Sequence, residues 1–457
     1  MNAIPGAGPT AATPEAGNAL AALVASFLPA GSLRRRVVSG AAWSVLGSGV
    51  AQGMALVAAS LAARALGAGE YGSLIVAVGT CTLLAEVAGA GLAVAATRHV
   101  AETRSSDPDR AGRLAGGAVS LAAAAGFLLA VLQFLLAPWV AGSLLAAPGL
   151  APLLRAGAPL TFAASVCAAQ SGALAGLEAF RGLAGAAAVR GAVTLAAVVP
   201  GALLAGTRGA LAGTLAASIA CAVAQHRVLR REAARRSIPL GFAPRPADLR
   251  ELAQVGVPAV AASLALTFAA WTSTALLARS SLAEAGVLGV ARQWQAVVLF
   301  LASAVSGLGL PLVASALPSR NPGGLLRALG ASFAASTGLA LLVAIPVAAL
   351  APWLLAASGP AFAGRGSVLV LCCGAAVLLA ANMAVGQAIW ALGAHRAGVA
   401  LAVLRGALLV ILTAALAPRG AGGVALAWFL TAAILTAVQA PFVAWVVSRK
   451  RAEWGSA

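Results

Sequence analysis

Lysine occurs once in the 457 residues, at Lys450, and there are only 12 acidic side chains and three histidines. The single lysine excludes a phosphate loop ending in Gly-Lys-Ser/Thr, and so ATP hydrolysis by that route, and it excludes a mid-chain Schiff base. Cys81, Cys167, Cys221, Cys372 and Cys373 all lie inside apolar runs without metal-ligand spacing. They read as small buried hydrophobes, not as a disulfide framework. His99, His226 and His395 fall near hinges and away from acids and cysteines, so neither a zinc site nor any other cofactor is expected.

What is present is apolar. Hydrophobic residues make up 61% of the chain and charged residues 9%, too little polar surface for a water-soluble domain. In lipid, a helix of about 20 apolar residues satisfies its own backbone and crosses the hydrocarbon core. The apolar runs predict an all-α integral membrane protein of about twelve transmembrane helices. They cover 37–63, 73–96, 114–136, 153–175, 188–207 and 210–225, then 252–278, 287–314, 329–350, 367–392, 397–417 and 421–447.

The net charge of +18 would suit nucleic acid if it were gathered in one basic domain, but the arginines sit at span ends. Of the 30 basic side chains, Arg64, Arg208, Arg279, Arg365 and Arg419 fall in outer hinges, and Arg155, Arg292 and Arg405 fall within spans. The rest occupy alternate hinges. Basic loops stay on the cytoplasmic side, so both termini and the long basic hinge are expected there, and the charge marks a bilayer partner, not nucleic acid. The organisation expected is a disordered cytoplasmic tail (1–33), an N-terminal six-helix half (34–230), a basic cytoplasmic hinge (231–251), a C-terminal six-helix half (252–448) and a cytoplasmic tail (449–457). The halves echo each other: Leu61-Ala-Ala-Arg64 and Tyr71-Gly72 match Leu276-Leu-Ala-Arg279 and Leu288-Gly289. Parallel repeats of this kind place a transporter's substrate site between the halves.

The segment Leu61-Ala-Ala-Arg64-Ala-Leu-Gly67-Ala-Gly-Glu70-Tyr71-Gly72 resembles the signature after the first helix of polysaccharide-exporter flippases, Arg-x-Leu-Gly-x-x-x-Tyr-Gly. These belong to the multidrug/oligosaccharidyl-lipid/polysaccharide exporter superfamily. Gly91-Leu92 through Arg98 is similar to the family's end of the second helix, and Ala391-Leu392-Gly393-Ala-His-Arg396 to its hinge after the tenth. Members often carry an acid where Gly89 stands, and the nearest acid here is Glu86. The resemblance implies a MATE-like exporter, not an enzyme, in the bacterial cytoplasmic membrane. It would move polyprenyl-diphosphate-linked oligosaccharide from the inner to the outer leaflet, beside other polysaccharide-assembly proteins.

Cations inside spans are costly, about 2.5–3.5 kcal/mol each near mid-helix. Arg405, near the middle of its span, and Arg292, in the outer third of its own, are therefore candidate ligands for diphosphate oxygens, which the guanidinium fork matches. Arg155 lies one turn from an outer end, where it can snorkel. Glu86 is the one acid deep inside a span; it either pairs with an arginine or titrates during transport. Asn382, Gln387, Gln52, Gln170, Gln293 and Gln295 are candidates to line a hydrated path beside Trp271, Trp294 and Trp390, or else act as interhelical glue and interfacial anchors. Alternatives are a multidrug or metabolite antiporter of the same superfamily, a membrane enzyme, and a scaffold of a polysaccharide-assembly system. Arg64 and Glu70 are expected to brace the first outer hinge as a local ion pair.

Overall fold

The computed structural model describes the backbone of residues 33–316, 322–391 and 395–455, and side-chain surroundings mainly within 47–303, 327–389 and 397–442. The other residues, which include most of the proposed N-terminal tail and the side chains of Arg396 and Trp390, lie outside the described ones. Among the described residues everything regular is helical.

Helix Leu33–Thr103 is broken at Gly67 into α1 (33–66) and α2 (68–103). It is followed by α3 (Pro108–Trp139) and α4 (Ala151–Gly176). Phe180–Arg235 is broken at Ala205 and Gly206 into α5 (180–204) and α6 (207–235). The second set is α7 (Pro246–Ser280), α8 (Leu282–Ala316), α9 (Pro322–Ala349), α10 (Gly366–Ala391), α11 (His395–Leu416) and α12 (Gly420–Gly455). Among the described residues nine stretches are long and apolar enough to cross a membrane. Three of them, Gly47–Thr103, Phe180–Arg235 and Ala397–Phe442, have room for two crossings each. Local chemistry starts several helices. Asp107 accepts the N–H of Arg110 at 2.9 Å and Pro108 opens α3, while Asp248 accepts the N–H of Arg245 at 3.0 Å at the start of α7.

The distribution of bulk is that of a membrane bundle. Leu204, Leu342, Ile345, Leu135, Phe127 and Ile411 are exposed, whereas the interior is dominated by alanine. Small residues let helices approach closely where the medium is already apolar. Thus α4 meets α2 where Gly172 lies against Ala93, and Thr97 donates to the Gly172 carbonyl at 3.0 Å.

The two sets are related by a repeat in which four landmark pairs stand 214 residues apart, the first being Glu70 and Glu284. Leu136-Ala-Pro-Trp139 recurs as Leu350-Ala-Pro-Trp353, with both tryptophans exposed. Gly206 (φ +59°) recurs as Gly420 (φ +71°), each just before the last helix of its set and each in a backbone conformation that favours glycine. Gly72 recurs as Gly286, and the two glycines pack against each other: a Cβ on Gly72 would strike the Leu282 carbonyl, and one on Gly286 the Ala68 carbonyl. The true register therefore differs from the sequence match of Gly72 with Gly289. Leu288-Gly289 repeats the Tyr71-Gly72 pattern of a bulky residue before glycine, but lies about one turn further into α8.

Glu70 does not pair with Arg64. It accepts a hydrogen bond from Thr207 at 3.3 Å, tying the start of α2 to the start of α6. Its counterpart Glu284 accepts the N–H of Ala421 at 2.7 Å and pairs with Arg365 at 2.6 Å.

Candidate functional site

Helix α2 contacts the second set at both of its ends. At the Gly67 end it touches α8 through Gly72 and Gly286, with Tyr71 edge-on to Phe362 at 6.5 Å. At the other end it touches α7. Gly91 lies on Gly256 and Val260 there, and Nδ1 of buried His99 is 3.2 Å from Glu251. Glu251 also takes Arg110 of α3 at 2.8 Å, and Arg113 approaches Asp248 at 3.6 Å.

Between these contacts lies a cavity of about 620 Å³, walled by α2 on one side and by α7, α8, α10, α11 and α12 on the other. Arg292 and Arg405 both line it, from different helices, together with Gln293, Gln295, Trp271 and Trp428. No acid is among the lining residues. The Arg292 guanidinium carbon lies 4.1 Å above the centre of the Trp428 ring. Among the described residues neither arginine has an ion pair, and Arg405 feels the positive charge of Arg292. Two buried wall residues leave donors without partners, Gln295 Nε2 and Trp428 Nε1. A buried unmatched donor is costly. Trp271 is held in place by donating to Thr80 Oγ1 at 3.0 Å across the α2–α7 contact.

Glu86 faces a different space. A cavity of about 280 Å³ within the first set is lined by Glu86, Arg190, Cys167, Cys221, Ser171 and Gln225, and Thr82 lines both cavities. Arg190 is not within ion-pair distance of Glu86, whose Oε2 is buried and unpartnered, like Gln225 Oε1. Unmet acceptors gather here, the reverse of the larger cavity.

The remaining sequence candidates separate. Asn382 is buried outside the cavity: it donates to the Ala432 carbonyl at 3.1 Å and accepts from Thr436 at 2.9 Å, so it joins α10 to α12. Gln387 is half-buried further along α10 and is not among the lining residues. Gln170 is buried in α4, and the Trp294 side chain packs against the core. Arg155 lies over the exposed ring of Phe134 at 5.5 Å, on the lipid-facing side. Trp428 is not among the sequence candidates, because in the outer third of its span it reads like an interfacial tryptophan.

Residues 37–297 match the family described as polysaccharide biosynthesis protein. No curated protein sequence matches the chain. Among solved structures, the chain is similar to an inward-facing multidrug resistance MATE family transporter of the MOP superfamily. The TM-score is 0.73 at 16% identity, covering 88% of this chain and 95% of that one. It is similar to the lipid II flippase MurJ in an inward closed conformation, with TM-score 0.72 at 13% identity and 90% of each chain covered. A MOP superfamily transporter from Pyrococcus furiosus gives TM-score 0.65 at 16% identity, covering 90% and 96%. With the fold of MOP superfamily transporters and a family match over more than half its length, this chain belongs to the polysaccharide biosynthesis protein family.

Proposed function

We propose that this protein is a transporter that flips polyprenyl-diphosphate-linked oligosaccharide from the inner to the outer leaflet of the bacterial cytoplasmic membrane by alternating access, with both termini cytoplasmic. The observation that carries the reading is the pair of arginines, Arg292 and Arg405, without an ion pair among the described residues, in a cavity whose described lining has no acid. Cations persist in a membrane interior only where water, a partner or a ligand offsets their desolvation. A diphosphate supplies both charge and fork-matched oxygens. Gln293, Gln295, Trp271 and the threonines of α2 and α7 give sugar hydroxyls hydrogen-bonding and stacking partners, while the polyprenyl tail stays in lipid. In the proposed cycle α2 parts from α7 at the His99 end to admit the headgroup, and from α8 at the Gly72 end to release it.

MurJ is described as a lipid II flippase, and the family description names polysaccharide biosynthesis; both support this substrate class. A drug antiporter reading finds less support, because a cationic drug entering this cavity would meet two uncompensated guanidinium groups. Purified protein in liposomes, loaded on one leaflet with polyprenyl-diphosphate oligosaccharide, tests the proposal. Headgroups should become accessible to an impermeant glycosidase or lectin on the far side at a rate that depends on the protein. Translocation no faster than in protein-free liposomes rejects it.

A further inference from the structure

We infer that Trp428 is a positioning residue for Arg292, holding its guanidinium ready for a diphosphate without neutralising it. The inference rests on the reading of the cavity given above. A carboxylate beside Arg292 would fix the side chain, but it would also cancel the charge and occupy the N–H groups a phosphate needs. An aromatic face does neither. Cation–π attraction is strongest on tryptophan and grows when the pair is desolvated, and a guanidinium lying on a ring leaves its edge donors free. Arg292 of α8 sits 4.1 Å above the Trp428 ring of α12. The platform is rigid: Trp428 is only 8% exposed and packs within the main apolar core of the bundle. Without this contact Arg292, on a long flexible side chain, has no ion pair among the described residues to hold it, and Arg405 repels it.

The role predicts discrimination by phosphate geometry. A diphosphate engages an oriented fork with two oxygens, whereas a monophosphate is served nearly as well by a loosely held charge. The test is equilibrium binding of radiolabelled farnesyl diphosphate and farnesyl monophosphate to the full chain in lipid nanodiscs. Trp428→Leu should weaken diphosphate binding about tenfold and lower the diphosphate-to-monophosphate preference. Trp428→Phe, which keeps a π face, should stay within about threefold of wild type. Trp428→Met, which keeps bulk without a face, should behave like Leu and replaces it if Leu lowers the yield of folded protein. In an Arg292→Gln background, Trp428→Leu should cause no further loss, because its partner is already gone. Wild-type affinity in both Trp428→Leu and Trp428→Met, or fully additive losses in the double variant, overturns the inference while leaving the cavity reading in place. Wild-type diphosphate affinity in Arg292→Gln overturns both.

Discussion

Glu284 holds the start of α12. Its Oε2 accepts the N–H of Ala421 at 2.7 Å, immediately after Gly420 at φ +71°, while its Oε1 takes Arg365 at 2.6 Å. A related clasp stands 214 residues earlier, where Glu70 accepts from the Thr207 hydroxyl just after Gly206. In each set one glutamate ties the second helix to the sixth, at the end where the sets meet through Gly72 and Gly286. The two clasps differ in strength. Glu284 is 18% exposed and makes a charge-assisted helix cap plus an ion pair, whereas Glu70 is exposed and has one long hydrogen bond. A hydrogen bond to a charged group is worth about 1.5–3 kcal/mol and less where it is long and solvated, and Glu284 makes two short, largely buried ones against one long exposed one for Glu70. Glu284→Gln should therefore lower the melting temperature of purified protein clearly more than Glu70→Gln. Equal shifts would contradict this account of the clasps.

The contact of Gly72 with the Leu282 backbone leaves no room for a side chain. Gly72→Val should hold the Gly67 ends of α2 and α8 apart and open the cavity on that side. A cysteine introduced at Gly79, which lines the cavity, should then react faster with an impermeant maleimide from outside intact cells. Unchanged labelling would mean that this crossing does not close the site.

Asn382 links α10 to α12 through two hydrogen bonds away from the cavity. Side-chain hydrogen bonds between membrane helices average about 0.6 kcal/mol, so Asn382→Ala should cost about 1 kcal/mol of stability in a detergent unfolding assay and leave substrate affinity unchanged. A selective loss of binding with normal stability would return Asn382 to the site.

Much of this was legible in the residues, for identifiable reasons. Spans follow from apolar length, and Arg292 and Arg405 stand out because a cation in an apolar run has to be accounted for. The assignment of Asn382 and Trp428 was not legible. In a soluble helix the apolar stripe reveals which face is buried. Here the lipid face and the interior are both apolar, so periodicity does not say whether Asn382 meets a cavity or the Ala432 carbonyl. The repeat was visible, but its register was blurred by the abundance of Ala, Leu and Gly. The four residues Leu-Ala-Pro-Trp ending at Trp139 and Trp353 mark it more sharply than the glycines do.

The basic hinges predict a cytoplasmic location for both termini. A cysteine at Ser237, an exposed position in the segment between α6 and α7, should be protected from impermeant reagent in intact cells and labelled after permeabilisation. Labelling in intact cells would invert the topology.

In the proposed function Arg292 and Arg405 hold the diphosphate of a lipid-linked oligosaccharide during transport, and leaflet-to-leaflet translocation by reconstituted protein measures that role. Arg405→Ala and Arg292→Ala should each reduce translocation at least tenfold with folded protein still in the bilayer, and Arg405→Lys should recover only part, since a point charge loses the bidentate fork. Wild-type rates for both alanine variants would contradict the account.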